Sequence, residues 1–258
     1  MPLPPPIAVQ LYSLREEAKT DFAGVIARVG AAGFVGVELA GFNGLSPARF
    51  AELAADAGLV VSSAHIGSTA PDAVKATLDD LAMIGCSTAV VAFLPPDAFV
   101  TLDAVHRSAD AINTAAAIAA ARGVTLGYHN HWWEFETVLT GRNAWAHLFD
   151  RLDPSVVAEL DIYWATVGGA DPIALMAEYG SRIALLHVKD GPADDAKAAM
   201  VAVGSGAVDI GAILRAAADV RWHIVELDRC DTDMFTAIEA SHRYLVDSGM
   251  SLGRSVTQ

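Results

Sequence analysis

One pattern recurs along this chain. A helix-like stretch ends on glycine, and a short run of apolar, often β-branched residues follows at once. Ala32-Gly33-Phe34-Val35-Gly36-Val37, Ala57-Gly58-Leu59-Val60-Val61, Ile84-Gly85-Cys86-Ser87-Thr88-Ala89-Val90-Val91 and Arg122-Gly123-Val124-Thr125-Leu126 all carry it. Glycine closes helices because it enters the left-handed backbone region without a Cβ penalty. Apolar runs of four to seven residues after such a stop read as strands buried on both faces, the habit of parallel sheets. The pattern predicts eight strands, at about 7–11, 34–39, 59–65, 87–93, 124–129, 156–161, 183–188 and 222–227. Helix starts lie between them. Ser46-Pro47 before Ala48–Ala57 and Asp171-Pro172 before Ile173–Tyr179 pair an N-cap with Pro at the first turn. Asp209 opens another helix, and Ala104–Ala121 is the longest.

Eight strands alternating with helices in about 250 residues point to an α/β chain closed as a (β/α)8 TIM barrel. A doubly wound open sheet competes, but it needs a Gly-rich phosphate loop after an early strand. Gln10-Leu11-Tyr12-Ser13-Leu14 has no glycine. No linker interrupts the chain, so residues 1–258 are expected to be a single domain, with the barrel at about 7–248. Gly191–Gly206 reads as a long loop.

Composition narrows the function classes. Seventeen Lys+Arg against 31 Asp+Glu leave a net charge of −14. Nucleic-acid backbones call for clustered Lys and Arg, so no nucleic-acid partner is expected. The 53% hydrophobic content excludes a mostly disordered chain. No apolar run reaches membrane-spanning length, and the first residues do not resemble a signal peptide. Cys86 and Cys230 form no zinc-finger spacing. A cytoplasmic location is expected. Ala-rich helix faces point weakly to a homo-oligomer.

In a TIM barrel the C-terminal strand ends build the active face. Read to their ends, the strands deliver Gln10 and Tyr12, Glu38, His65, Phe93, Tyr128-His129-Asn130-His131 with Glu134, Glu159 and Asp161, His187, Lys189 and Asp190, and Glu226 and Asp228. Ionisable groups closing apolar runs are costly unless they pair or bind metal. Glu134, Asp161, His187 and Glu226 form the candidate metal set; the rival explanation is an ion-pair network through Lys189 and Arg229. Three carboxylates and one imidazole suit Mn²⁺ first, then Mg²⁺, Co²⁺ or Zn²⁺. On strand five, Glu134 is preferred, with His129 as the alternative. Residues two apart share a strand face, so one of Glu159 and Asp161 sits a layer deeper than the other.

Val9-Gln10-Leu11-Tyr12-Ser13-Leu14-Arg15, Gly36-Val37-Glu38-Leu39, Tyr128-His129-Asn130-His131 with Glu134-Phe135, Glu159-Leu160-Asp161, His187-Val188-Lys189-Asp190, Gly204-Ser205-Gly206 with Val208-Asp209, and Val225-Glu226-Leu227-Asp228 occur in that order. With these segments the chain resembles the xylose isomerase-like barrel superfamily, the sugar phosphate isomerase/epimerases. That group includes tagatose epimerases, hydroxypyruvate isomerases, inosose dehydratases and endonuclease IV-type repair enzymes. The resemblance implies a divalent metal held by Glu134, Asp161, His187 and Glu226. The His129 position departs from the many epimerases that carry Glu at this strand end. It resembles the branch acting on keto-sugars or keto-inositols.

The expected chemistry is proton transfer next to the carbonyl of a keto-sugar or related polyol ketone. Glu134, Glu226, His131, His129 and Lys189 are the candidate catalytic residues. Gln10, Glu38, His65, Lys189 and Trp164 are the candidate substrate contacts. Trp132, Trp133 and Trp164 are placed to shield a sugar from water. A lyase of the inosose dehydratase type is the alternative on the same site, and an endonuclease IV-like phosphodiesterase ranks below both. No Arg/Lys-rich phosphate pocket is evident, which favours an unphosphorylated substrate.

Overall fold

The computed structural model describes residues 3–217 and 220–254, so the outermost residues of the expected domain lie outside it. Eight strands run parallel: β1 (Ile7–Gln10), β2 (Gly36–Leu39), β3 (Val60–Ile66), β4 (Thr88–Val91), β5 (Thr125–His129), β6 (Val157–Asp161), β7 (Ile183–Val188) and β8 (Trp222–Val225). They close in the order β1-β8-β7-β6-β5-β4-β3-β2, a TIM barrel. A two-residue antiparallel pair, Val138–Leu139 with Arg142–Asn143, is added after β5.

Helices cover the outside. They begin where the caps are: Ser46 Oγ accepts from Arg49 N, Asp171 Oδ1 from Ile173 N, and Asp209 Oδ1 from Ala212 N. The helices that follow are Pro47–Asp56, Pro172–Tyr179 and Ile210–Ala216, and Leu102–Ala120 is the longest. Two strands stop two residues earlier than the pattern predicts, and β1 stops one residue earlier. β4 ends at Val91, because the chain turns outward before Pro95-Pro96 and leaves Phe93 about half exposed. β8 ends at Val225, because Leu227 N donates to Ser13 Oγ on the turn after β1 instead of to a strand.

Side chains inside the barrel are layered. Ala8, Val90, Leu185 and Ile224 form a small apolar cluster of their own, with Trp222 packed against it. Gly36 leaves room for that indole: a Cβ there would sit 3.1 Å from the Trp222 ring. Two residues further along each of three of these strands, the same face carries Gln10, His187 and Glu226. An apolar floor thus supports a polar interior that rises to the C-terminal mouth. Register shifts occur between Val37 and Glu38 on β2 and between Ala158 and Glu159 on β6.

Candidate metal centre and active site

Glu38, His129, Glu159, Asp161, His187, Lys189 and Glu226 are all buried at the mouth or just beneath it. Asp161 ends β6 and caps the helix Ile162–Val167, its Oδ1 accepting from Trp164 N at 2.8 Å. That bond turns Oδ2 inward, 2.9 Å from Lys189 Nζ. The ammonium also lies 2.7 Å from Glu226 Oε2 and 2.7 Å from Asp228 Oδ2, with the Trp164 ring 5.5 Å away. His187 Nδ1 is 2.8 Å from Glu226 Oε2, and His129 Nε2 is 3.8 Å from Asp161 Oδ2.

His129, Asp161, His187 and Glu226 each offer one donor atom within 4.8 Å of the others. Three members of the expected metal set therefore meet, and their fourth neighbour is His129 rather than Glu134. The single helical turn Trp133–Glu136 directs Glu134 away. Its Oε1 accepts from Tyr128 Oη at 2.6 Å and its Oε2 from His131 N at 3.0 Å. Burial there lifts its carboxyl to about 7.

A second group, His65, His129, Glu159 and His187, lies below. His65 Nε2 contacts Glu159 Oε2 at 2.7 Å and Glu38 Oε1 at 3.0 Å. Gln10 Nε2 donates to Glu38 Oε1, and Ser63 Oγ to Glu38 Oε2. Gln10 and Glu38 are thus bound to each other beneath the cavity, whereas His65 reaches into it. The cavity measures about 360 Å³ and is lined by Tyr12, His65, Phe93, His131, Glu226 and Asp228, among others. Trp164 is buried beside Lys189, and Trp132 packs on it at 4.7 Å. His131 stacks on Trp133 at 4.3 Å. Arg229 does not join the charge cluster: its guanidinium donates to the carbonyls of Ala196 and Ala198.

The electrostatics follow from this crowding. Burial disfavours the charge on Lys189, but Asp161, Asp228 and Glu226 outweigh it and hold the ammonium strongly protonated. Burial also opposes the Glu226 charge, yet Lys189 and His187 keep it ionised far below the usual carboxylate range. Burial raises Asp161 to about 6, against the pull of Lys189. Burial, with Lys189 nearby, drops His131 to about 3, so its ring is neutral.

The donor set fits a divalent cation. It combines two imidazoles and two carboxylates, a mixture that suits Mn²⁺, Co²⁺ or Zn²⁺. Lys189 Nζ sits between Asp161 Oδ2 and Glu226 Oε2, a positive charge where these carboxylates converge. Below, Glu159 Oε1 is buried without a hydrogen-bond partner.

Asp190 is a residue whose role the strand-end reading does not identify. Fully buried, it accepts four backbone N–H bonds: Gly191 and Val208 at Oδ1, Gly204 and Gly206 at Oδ2. The bonds gather the loop after β7. A Cβ on Gly206 would collide with the carboxylate and lie 2.5 Å from Gly191 N. A strand-end Asp with Gly204-Ser205-Gly206-Ala207-Val208 further along the loop after it is the available signal. The loop in turn braces the segment after β8, with Met200 Sδ accepting from Asp228 N at 3.2 Å and Met200 N donating to Arg229 O at 3.0 Å.

The family model described as xylose isomerase-like TIM barrel matches residues 26–245. A search of curated proteins finds no match. Among solved structures, a sugar phosphate isomerase/epimerase from Parabacteroides distasonis ATCC 8503 is 28% identical with a TM-score of 0.83, over 93% of this chain and 97% of that one. The probable 3-DHS dehydratase AsbF from Bacillus anthracis is 15% identical with a TM-score of 0.73, over 93% and 98%. The IOLI protein with a bound zinc atom is 16% identical with a TM-score of 0.71, over 95% and 98%. These last two share the fold. Among the described residues no helix is long and apolar enough to cross a membrane.

Proposed function

The chain belongs to the xylose isomerase-like TIM barrel family, and we propose that it is a divalent-metal-dependent sugar isomerase or epimerase. Its substrate is a keto-sugar or related polyol ketone, and the reaction moves a proton at the carbon beside the carbonyl. The convergence of His129, Asp161, His187 and Glu226 beside a cationic Lys189, under an open cavity, carries this reading.

His129, Asp161, His187 and Glu226 would hold the divalent metal, which would supply Lewis-acid stabilisation of negative charge developing on the substrate. Lys189, held by three carboxylates, donates to a substrate oxygen. Glu226, kept ionised at the cavity wall, is a proton acceptor on one side. His131 faces the same cavity from the β5 end, where its neutral ring is a hydrogen-bond partner for a substrate oxygen. Tyr12 and Phe93 offer exposed aromatic faces at the rim, and Arg15 stacks on Tyr12 at 4.2 Å. The acidic balance and the absence of a basic surface run favour a small-molecule substrate over nucleic acid or membrane.

The same proton abstraction drives elimination when a hydroxyl leaves from the next carbon. Lys189 gives that lyase reading its support, since its ammonium lies beside the cavity residues Glu226 and Asp228 and can hydrogen-bond a departing hydroxyl. Incubation with Mn²⁺ and a panel of keto-sugars and inososes in deuterated water separates the outcomes. Deuterium in an isomeric product supports epimerisation, and loss of water supports dehydration. Absence of exchange into every ketone refutes both.

A further inference from the structure

The two imidazoles of the metal centre face it through different nitrogens. His129 turns Nε2 toward Asp161 Oδ2 and Nδ1 toward Glu159 Oε2, the latter at 3.1 Å. His187 turns Nδ1 toward Glu226 Oε2. Its Nε2 meets Glu38 Oε1 at 2.7 Å and Glu159 Oε2 at 3.1 Å.

Glu38 and Glu159 are both fully buried, and each follows one of the two register shifts in the barrel. Such irregularities re-aim side chains. Glu38 is fixed by Gln10 and Ser63, and His65 bridges it to Glu159. In a neutral ring, the form that binds a metal, a carboxylate that accepts from one nitrogen leaves the other nitrogen unprotonated, and so sets which atom can be the ligand.

We propose that Glu38 and Glu159 are positioning residues that impose opposite tautomers on the two histidine ligands. His129 carries its proton on Nδ1 and offers Nε2 to the metal; His187 carries its proton on Nε2 and offers Nδ1. The inference rests on the metal reading above. It explains why Glu159 stands two residues before Asp161, on the same strand face and one layer deeper.

The test uses the full chain labelled with ¹⁵N-histidine and loaded with Zn²⁺. Nitrogen–proton correlation spectra are expected to show a protonated Nδ1 on His129 and a protonated Nε2 on His187. Glu159→Gln is expected to weaken Zn²⁺ binding about 10–100-fold in a chelator competition, with one metal still bound per chain. Glu38→Gln provides the same readout through His187 and covers the case in which Glu159→Gln does not fold. Matching tautomers on the two rings, or Zn²⁺ affinities within twofold of the unmodified protein, overturn the positioning role and leave the proposed function standing. Two metals per chain, one of them lost in Glu159→Gln, make the lower tier a ligand shell and overturn it too. An unmodified chain that binds no Zn²⁺, Mn²⁺ or Co²⁺ brings down the metal reading and this inference together.

Discussion

Replacing Asp190 with Asn should loosen the loop after β7 without touching the cavity. The carboxylate offers two oxygens, and each accepts two backbone N–H groups. An amide keeps one oxygen and sets an NH₂ group against two donors in a fully buried position. Hydrogen bonds to a charged acceptor contribute about 1.5–3 kcal/mol each, so losing two costs about 3–6 kcal/mol. Domains have only about 5–15 kcal/mol of net stability, so this loss is large. With a slope of about 3 kcal/mol per molar urea for a chain of this length, the unfolding midpoint falls by about 1–2 M. The loop can also detach locally before the barrel unfolds. Hydrogen exchange at the Gly204 and Gly206 amides then rises sharply while the midpoint moves less. A variant with an unchanged urea midpoint and unchanged exchange at both amides would refute the carboxylate's role as the loop's anchor.

Three further outcomes are expected. Lys189→Met leaves Asp161, Glu226 and Asp228 without their shared cation, which destabilises the metal-free chain by about 3–5 kcal/mol; thermal melts should show most of that loss recovered on adding Mn²⁺. His129→Ala should abolish tight Mn²⁺ binding in isothermal titration, whereas Glu134→Gln should leave it nearly intact; the opposite ranking would restore Glu134 as the β5 ligand. Burial lowers His223 to about 4, so the folded chain holds this ring neutral while the unfolded chain protonates it near 6.5. Its stabilising contribution is present above pH 6.5 and is lost as pH falls toward 4, by up to about 3 kcal/mol. Urea titrations of wild type and His223→Phe at pH 7 and pH 4.5 should differ in their pH dependence by most of that amount, and parallel losses in both proteins would count against it.

Much of this architecture was legible because its cause is local. The Gly-then-apolar repeat predicts the strands, and Ser46, Asp171 and Asp209 announce helices that begin where they stand. Asp161, His187 and Glu226 were legible as strand-end charges, since a parallel barrel brings such positions together. The choice between His129 and Glu134 was not, because it depends on a tertiary bond: the Tyr128 hydroxyl draws Glu134 back under its own turn. Period-two alternation places one of Glu159 and Asp161 deeper. It does not reveal that Glu38, from the far side of the chain, meets Glu159 through His65. Asp190 was visible as a charge and hidden as a cap, because its partners are backbone groups of residues that carry no polar side chain: Gly191, Gly204, Gly206 and Val208.

The apolar plug of Ala8, Val90, Leu185 and Ile224, with Trp222 against it, makes the barrel a vessel with one opening. On the proposed function, a cation bound between His129 and Glu226 would enter and leave past Tyr12 and Phe93, the route a sugar substrate would also take. Traffic through that opening would then be ordered: the metal would load first, and a seated substrate would stand in its exit path. Chelators should strip the resting protein faster than the protein turning over, so that the substrate acts as a kinetic lock on the ion beneath it.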